Sequence, residues 1–371
     1  MRKILLVFFT FHCSLLTTLA QTAVSTYLPG VTPEGAIYLL PKTGIRIAVQ
    51  VEKTTYAPGE LCKYAERYLR IKDVSPTPSV NYRITDIRQE AYAVADTSKH
   101  YAIKFDAKTA ATNVRLSDDG ILLGINSEER GERRVERNQP QNTSLSSPHS
   151  PLSTKTLSTK PDPRQYMNEE MLAAGSTAKM AELIAQDIYE IRESRNLLVR
   201  GQADNMPKDG EQLRLMLNQL DKQDQAMTSL FIGITEKDTT EHVITIIPNK
   251  TSDQQVLFRF SQKLGLLESD DFAGEPYYYK VEDLKTVPPV EVIDPKKKNK
   301  PAPGVYVNVP GKLRSTISDA KGVISTAEFP AGQFGNVELL SGALFNKRYT
   351  TRLWLNPLSG AVEKIDVEQP K

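Results

Sequence analysis

Residues 45–52 read Ile45-Arg46-Ile47-Ala48-Val49-Gln50-Val51-Glu52. Branched apolar residues at the odd positions alternate with polar or small ones at the even positions. This period of two is that of a strand with one face buried and one face wet. Working outward, Ile37 and Leu39 precede this run across Pro41-Lys42-Thr43-Gly44, a composition that predicts a hairpin turn. Tyr92 and Val94, followed by Tyr101, Ile103 and Phe105, predict a second hairpin about Asp96 to Lys99. Ser117-Asp118-Asp119-Gly120 predicts a third, between Val114/Leu116 and Ile121 to Ile125.

One helix interrupts these strands. Leu61, Tyr64, Ala65, Tyr68 and Leu69 recur at helical spacing after Pro58-Gly59, and Val74-Ser75-Pro76 marks the expected end. Cys62 falls at the flank of that face and reads as a small packing residue.

From Ser127 the texture changes. Residues 127–138 are dense in Glu and Arg, and residues 139–164 are almost wholly Ser, Thr, Pro, Lys, Gln and Asn. Such a stretch buries too little apolar area to offset about 1–2 kcal/mol of ordering entropy per residue. Residues 127–165 are therefore expected to form a disordered linker. Beyond it come two apolar stripes, Ala181/Ile184/Ala185/Ile188/Ile191 and Leu213/Met216/Leu217/Leu220 with Met227 and Phe231. Gly201 ends the first stripe and Asp209 caps the second, which predicts an antiparallel helix pair. Strands resume at Val243–Ile247, Val256–Phe260, Tyr277–Val281 and Val305–Val309. A closing hairpin joins Thr350–Leu355 to Ala361–Asp366 through Asn356-Pro357-Leu358-Ser359-Gly360.

The expectation is an α+β fold of two mostly antiparallel β-rich parts. Residues 21–126 form the first, with one helix, and residues 166–371 the second, opened by the helix pair. Whether the two parts pack as one domain is open at this level.

The N-terminus carries an export pattern. Arg2 and Lys3 precede a short apolar run from Ile4 to Phe11, and Thr18-Leu19-Ala20 precedes Gln21. The run is shorter than the roughly 20 apolar residues that a membrane span needs. Residues 1–20 are read as a signal peptide cleaved between Ala20 and Gln21, which removes Cys13 and leaves Cys62 as the lone thiol. No membrane span is expected afterwards.

Chemistry is sparse in the sequence. A net charge of +2 with 25% charged residues argues against nucleic acid as a partner. There is no Gly-x-Ser-x-Gly elbow and no phosphate-cradling glycine loop. Cys62 would need His100 or His242 to act as a nucleophile, and nothing in its local context resembles one. One cysteine and three scattered histidines are too few for structural zinc, so no metal and no cofactor are expected. Asp118-Asp119-Gly120 and Asp270-Asp271 read as turn chemistry. Tyr277-Tyr278-Tyr279 and Trp354 read as cross-strand packing before they read as a sugar platform. No catalytic residue is assigned.

Three stretches carry a resemblance. They are Lys53-Thr54-Thr55-Tyr56-Ala57-Pro58-Gly59-Glu60-Leu61-Cys62-Lys63-Tyr64-Ala65, then Ile191-Arg192-Glu193-Ser194-Arg195 leading to Asp204, Pro207, Asp209 and Gly210, then Leu230-Phe231-Ile232-Gly233. Together they resemble a family of exported Bacteroidetes proteins known as a domain of unknown function, DUF4831. The resemblance covers nearly all of the chain after residue 20. It implies the periplasm or cell surface of a Gram-negative bacterium, and it implies no activity. In that setting Asp238-Thr239-Thr240 resembles an O-glycosylation motif with Thr239 as acceptor, expected in a loop. The leading functional expectation is a non-catalytic binding or scaffolding protein of the envelope, its partner an envelope protein or glycan. The alternative is a hydrolase of glycan or peptide acting through dispersed acids.

Overall fold

The computed structural model describes residues 36–103, 113–128, 162–289, 304–345 and 350–368. Residues 1–20, most of the expected linker and Phe105 lie outside the described residues. The fold is β-rich α+β with several antiparallel sheets. Its spine is strand β1, Ala36–Ala57, which contains the alternating run. At about 3.3 Å per residue, its 22 residues reach about 70 Å.

No hairpin forms at 41–44. β1 runs straight through and pairs along its length with β2, Ser79–Ile103, which is equally unbroken at 96–99. Both turn signals are put to other uses. Leu39 pairs with His100 and Pro41 with Ala95, so β2 carries Asp96 to Lys99 as a bulge opposite Leu40. The Asp96 carboxylate accepts from the Ser98 N–H at 3.1 Å and from its hydroxyl at 2.7 Å, a local turn inside a strand. Pro41, without an N–H, sits at this break in the ladder. Gly44 lets the Tyr92 ring lie over the strand: a Cβ there would stand 2.5 Å from the ring and displace it.

The helix expected at 61–69 is shorter and wider than predicted. A 3-10 turn, Cys62–Tyr64, runs into a π turn, Ala65–Leu69, and left-handed Arg70 (φ 59°) stops it before Val74. Leu61, Ala65 and Leu69 still face inward. The third hairpin is as expected, with β3 (Val114–Leu116) against β4 (Leu122–Ile125).

A 3-10 turn at Pro163–Tyr166 begins within the stretch expected to be linker. Helix α1 (Glu169–Leu172) and the pair α2 (Thr177–Arg200) and α3 (Gly210–Ile232) follow. The remaining strands are β5 (Ile234–Ile246), β6 (Ser252–Ser261), β7 (Gly265–Leu267), β8 (Glu275–Asp283), β9 (Gly304–Asp319), β10 (Gly322–Ser341), β11 (Thr350–Leu355) and β12 (Val362–Glu368). The described strands form three sheets, ordered β2-β1-β5, β10-β9-β8-β6-β7 and β12-β11-β4-β3. β1 pairs with β5, and β4 with β11. Strands from both sides of 127–165 thus pair within two of these sheets.

Among the described residues there are three cores. Tyr38 and Leu40 meet Leu122, Ile125, Val305, Val307 and Leu353 in the first. Ile45, Ile47, Val49 and Val51 meet Phe258, Phe260, Val281, Leu313 and Ile317 in the second. Each such aliphatic side chain contributes about 1.5–3 kcal/mol on burial. The third joins Leu61 and Leu69 to Ile184, Ile188, Met227 and Phe231. It abuts the end of β1, where a Cβ on Gly233 (φ +78°) would lie 2.3 Å from the Ala57 carbonyl.

A polar waist separates the first two cores. β10 breaks register against β9 between Ala331 and Asn336, and this break meets the β1–β2 bulge. The Thr43 N–H donates to Gln333 Oε1 at 2.9 Å and its hydroxyl to the Pro330 carbonyl at 2.7 Å. Gln333 Nε2 donates back to the Thr43 carbonyl at 2.7 Å, and Lys99 Nζ donates to the Gly332 carbonyl at 3.2 Å. Thr43 is fully buried, and these bonds satisfy groups that would otherwise cost about 1–3 kcal/mol each. Burial works against the Asp96 charge, but Ser98, Lys99 and Lys42 outweigh it and hold the carboxyl below its usual range.

Candidate functional site

The helix pair offers the clearest site. Ser176 caps α2 by accepting the Lys179 N–H at 3.2 Å, and Gly201 closes it in the left-handed region. Asp209 caps α3 by accepting the Gln212 N–H at 2.7 Å. The ion pairs Arg192–Asp224 and Arg195–Asp221, each 2.7 Å, step in opposite directions along the two helices and make them antiparallel.

At the base the helices bury each other through Ala181, Ile184, Ile188, Met227 and Phe231. At the far end they do not. A cleft of about 440 Å³ lies between Leu197 and Leu198 on α2, Ala203 in the connection, and Met216 and Leu220 on α3. Ser194, Asp204, Asn205 and Gln219 complete its lining. Of its lining Met216 is exposed, and elsewhere on the two helices and their connection Val199, Met206 and Leu215 are exposed as well. An apolar cleft with a few polar groups suits an apolar side chain or acyl group, oriented by hydrogen bonds. The predicted stripe on α3 therefore holds only in its second half. A signal was present: Leu213, Leu215, Met216 and Leu217 point around more of the helix than one neighbour covers.

A second groove, about 580 Å³, follows the outer face of α2 beside the π turn and is lined by Tyr68, Glu182, Gln186, Tyr189, Glu190 and Glu193. The Tyr189 hydroxyl donates to the Tyr68 carbonyl at 3.0 Å and fixes one wall. On the same helix, burial and then Glu190 push the Asp187 carboxyl above its usual value.

The residues singled out in the sequence do not converge. Cys62 is half-buried in the 3-10 turn, His100 lies in β2 and His242 in β5, and no hydrogen bond joins the thiol to either. Tyr277 stacks on Phe258 at 4.7 Å, and Tyr279 donates to Gln255 Oε1 at 2.8 Å. The Trp354 ring lies under Lys364 Nζ at 5.1 Å. These aromatic residues pack within and across strands. Asp271 accepts the Ala273 N–H and Gly120 takes positive φ, both as turn chemistry. Among the described residues no group of His, Cys, Asp and Glu converges for a metal ion, and no helix is long and apolar enough to cross a membrane.

Thr239 is exposed, but it lies in strand β5 opposite Glu52 of β1 and not in a loop. The first half of β5 wets both faces, so it shows no alternation that could have revealed it. Ala20 and Gln21 lie outside the described residues.

A family model described as "Domain of unknown function (DUF4831)" matches residues 34–363, and the chain belongs to that family. No curated protein and no solved structure matches it.

Proposed function

We propose that this member of the DUF4831 family is a non-catalytic binding or scaffolding protein of the bacterial envelope. It is exported with loss of residues 1–20 and engages an envelope protein or glycan. The observation that carries this reading is the apolar cleft between Leu197, Leu198, Leu220 and the exposed Met216 at the far end of the helix pair. Contiguous apolar surface of this kind on a protein mostly marks an interaction site. Its place at the tip of a helix pair, away from the three cores, leaves it open to a macromolecule. The test is capture from envelope extract with the native chain and with a Leu215→Glu/Met216→Glu chain. A partner retained equally by both would overturn the assignment of this cleft.

The second reading, a hydrolase acting through dispersed acids, is favoured by the carboxylate-lined groove along α2. Turnover of envelope glycan or peptide that is abolished by Glu190→Gln would establish it. We also propose Thr239 as a modification site, on the ground that it is exposed on an edge strand.

A further inference from the structure

β5 is the outer strand of the β2-β1-β5 sheet and pairs with β1 alone among the described strands. Among the described residues nothing pairs with its other edge, whose row of backbone N–H and C=O groups is a ready template for another strand. Proteins commonly blunt such an edge with charge, and β5 reads Ile-Thr-Glu-Lys-Asp-Thr-Thr-Glu-His-Val-Ile-Thr-Ile. The charges here are ordered in a way that blunting does not require. Two copies related by a two-fold axis must pair antiparallel with one residue opposite itself. Placing that centre at Glu236, Lys237, Asp238, Glu241 or His242 sets an ionisable group against its own copy. A centre at Thr240 sets Lys237 against Val243. A centre at Thr239 sets Lys237 against Glu241 twice, Thr235 against Val243 twice, and Thr239 against Thr239. On the opposite face the same register sets Ile234 against Ile244 and Glu236 against His242. Opposite charges and β-branched pairs directly across a ladder are the favourable cross-strand combinations.

The side chains are already in place for this. Glu52 accepts from Arg83 at 3.0 Å and lies 3.5 Å from Lys237, while Arg88 lies 3.0 Å from Asp86 and 3.1 Å from Glu241. These networks run across the sheet on its solvent face and end at the open edge. The Lys237 side chain remains 61% and that of Glu241 47% exposed.

We infer that β5 is a self-association edge: two copies of this chain pair antiparallel about Thr239, giving a continuous six-stranded sheet. The partner is a second copy, chosen by the two-fold charge pattern of residues 235–243. The pairing stands independently of the cleft at the helix tip.

The test is sedimentation of the full chain together with register-specific crosslinking. At about 100 µM, where an interface of modest area is populated, the chain sediments as a dimer. Directly opposed residues in an antiparallel pair lie within disulfide reach. Thr239→Cys therefore links to itself on mild oxidation, while Thr235→Cys, which faces Val243, does not. Lys237→Glu weakens the dimer by about tenfold, and Lys237→Glu/Glu241→Lys restores it. An unmodified wild-type chain that stays monomeric, a Thr239→Cys chain that links no faster than Thr235→Cys, or a charge swap that fails to restore pairing would each overturn the inference.

Discussion

Asn308 Nδ2 donates to the carbonyl oxygen of Pro41 at 2.9 Å, fully buried, across 267 positions of sequence. The same amide nitrogen reaches the Ser359 carbonyl at 2.9 Å, and the Asn308 N–H reaches the Gly360 carbonyl at 3.2 Å. One side chain thus fastens the break in β1 to the turn between β11 and β12. Asn308→Ala leaves two buried carbonyls unpaired and is expected to cost about 2–4 kcal/mol. Asn308→Asp costs more, because an acceptor-only carboxylate would face two carbonyl oxygens. Urea unfolding of the two variants beside the native chain measures both.

The junction between sheet and helices depends on two glycines. A Cβ on Gly59 would lie 2.1 Å from the Leu230 carbonyl, and Gly233 needs positive φ as well as the space beside Ala57. Either residue changed to Ala should lose about 2 kcal/mol or more through strain and displaced backbone. Gly210→Ala, at the first position of α3 with nothing within 4 Å, should instead gain up to about 1 kcal/mol. Opposite shifts in melting temperature are the expected readout.

At the helix tip, Leu215→Glu and Met216→Glu place charges on side chains that are already exposed. Stability should change by less than about 0.5 kcal/mol. Partner binding should fall at least about tenfold through the loss of apolar contact. Calorimetric melting and capture from envelope extract separate the two effects.

Much of the architecture was legible in the sequence. The alternation of Ile45 to Val51, the two helical stripes and the caps at Gly201 and Asp209 are one-dimensional signals of burial and hydrogen bonding. Pro41-Lys42-Thr43-Gly44 and Asp96 to Lys99 misled, because turn residues serve bulges and close approaches equally well. Only the residues across the ladder, Tyr92 against Gly44 for instance, tell these apart. The first half of β5 was hidden because backbone pairing with β1 holds it in place while both its faces are wet. The cleft was missed because an apolar stripe says that something should cover it and not what does.

His242 is half-buried in β5, and burial depresses its imidazole pKa below the usual value. Between that depressed value and the unfolded value of about 6.5, the unfolded chain binds the proton and the folded chain does not. Stability should therefore be undiminished above about pH 6.5 and fall as pH drops below it. Urea midpoints taken through this range should fall more steeply for the native chain than for His242→Gln.

Native protein isolated from its source should begin at Gln21, as N-terminal sequencing would show. If Thr239 carries a glycan, intact mass exceeds that of residues 21–371 and Thr239→Ala abolishes the excess. A glycan there would also stand in the way of a second β5. Modified chains should therefore sediment as monomers and unmodified chains as dimers.

β1 threads two cores and reaches the third, yet one of its two ladders is supplied by β5, so that Ala57 waits for Ile234 and Ile45 for Ile246. A ribosome completes the central strand long before it makes the second neighbour. During that interval a strand that supplies two of the cores has one bare flank, and closure must bridge a long intervening stretch. Folding should thus be slow and late, and a holdase that shields the newborn β1–β2 ribbon would raise the yield of native protein.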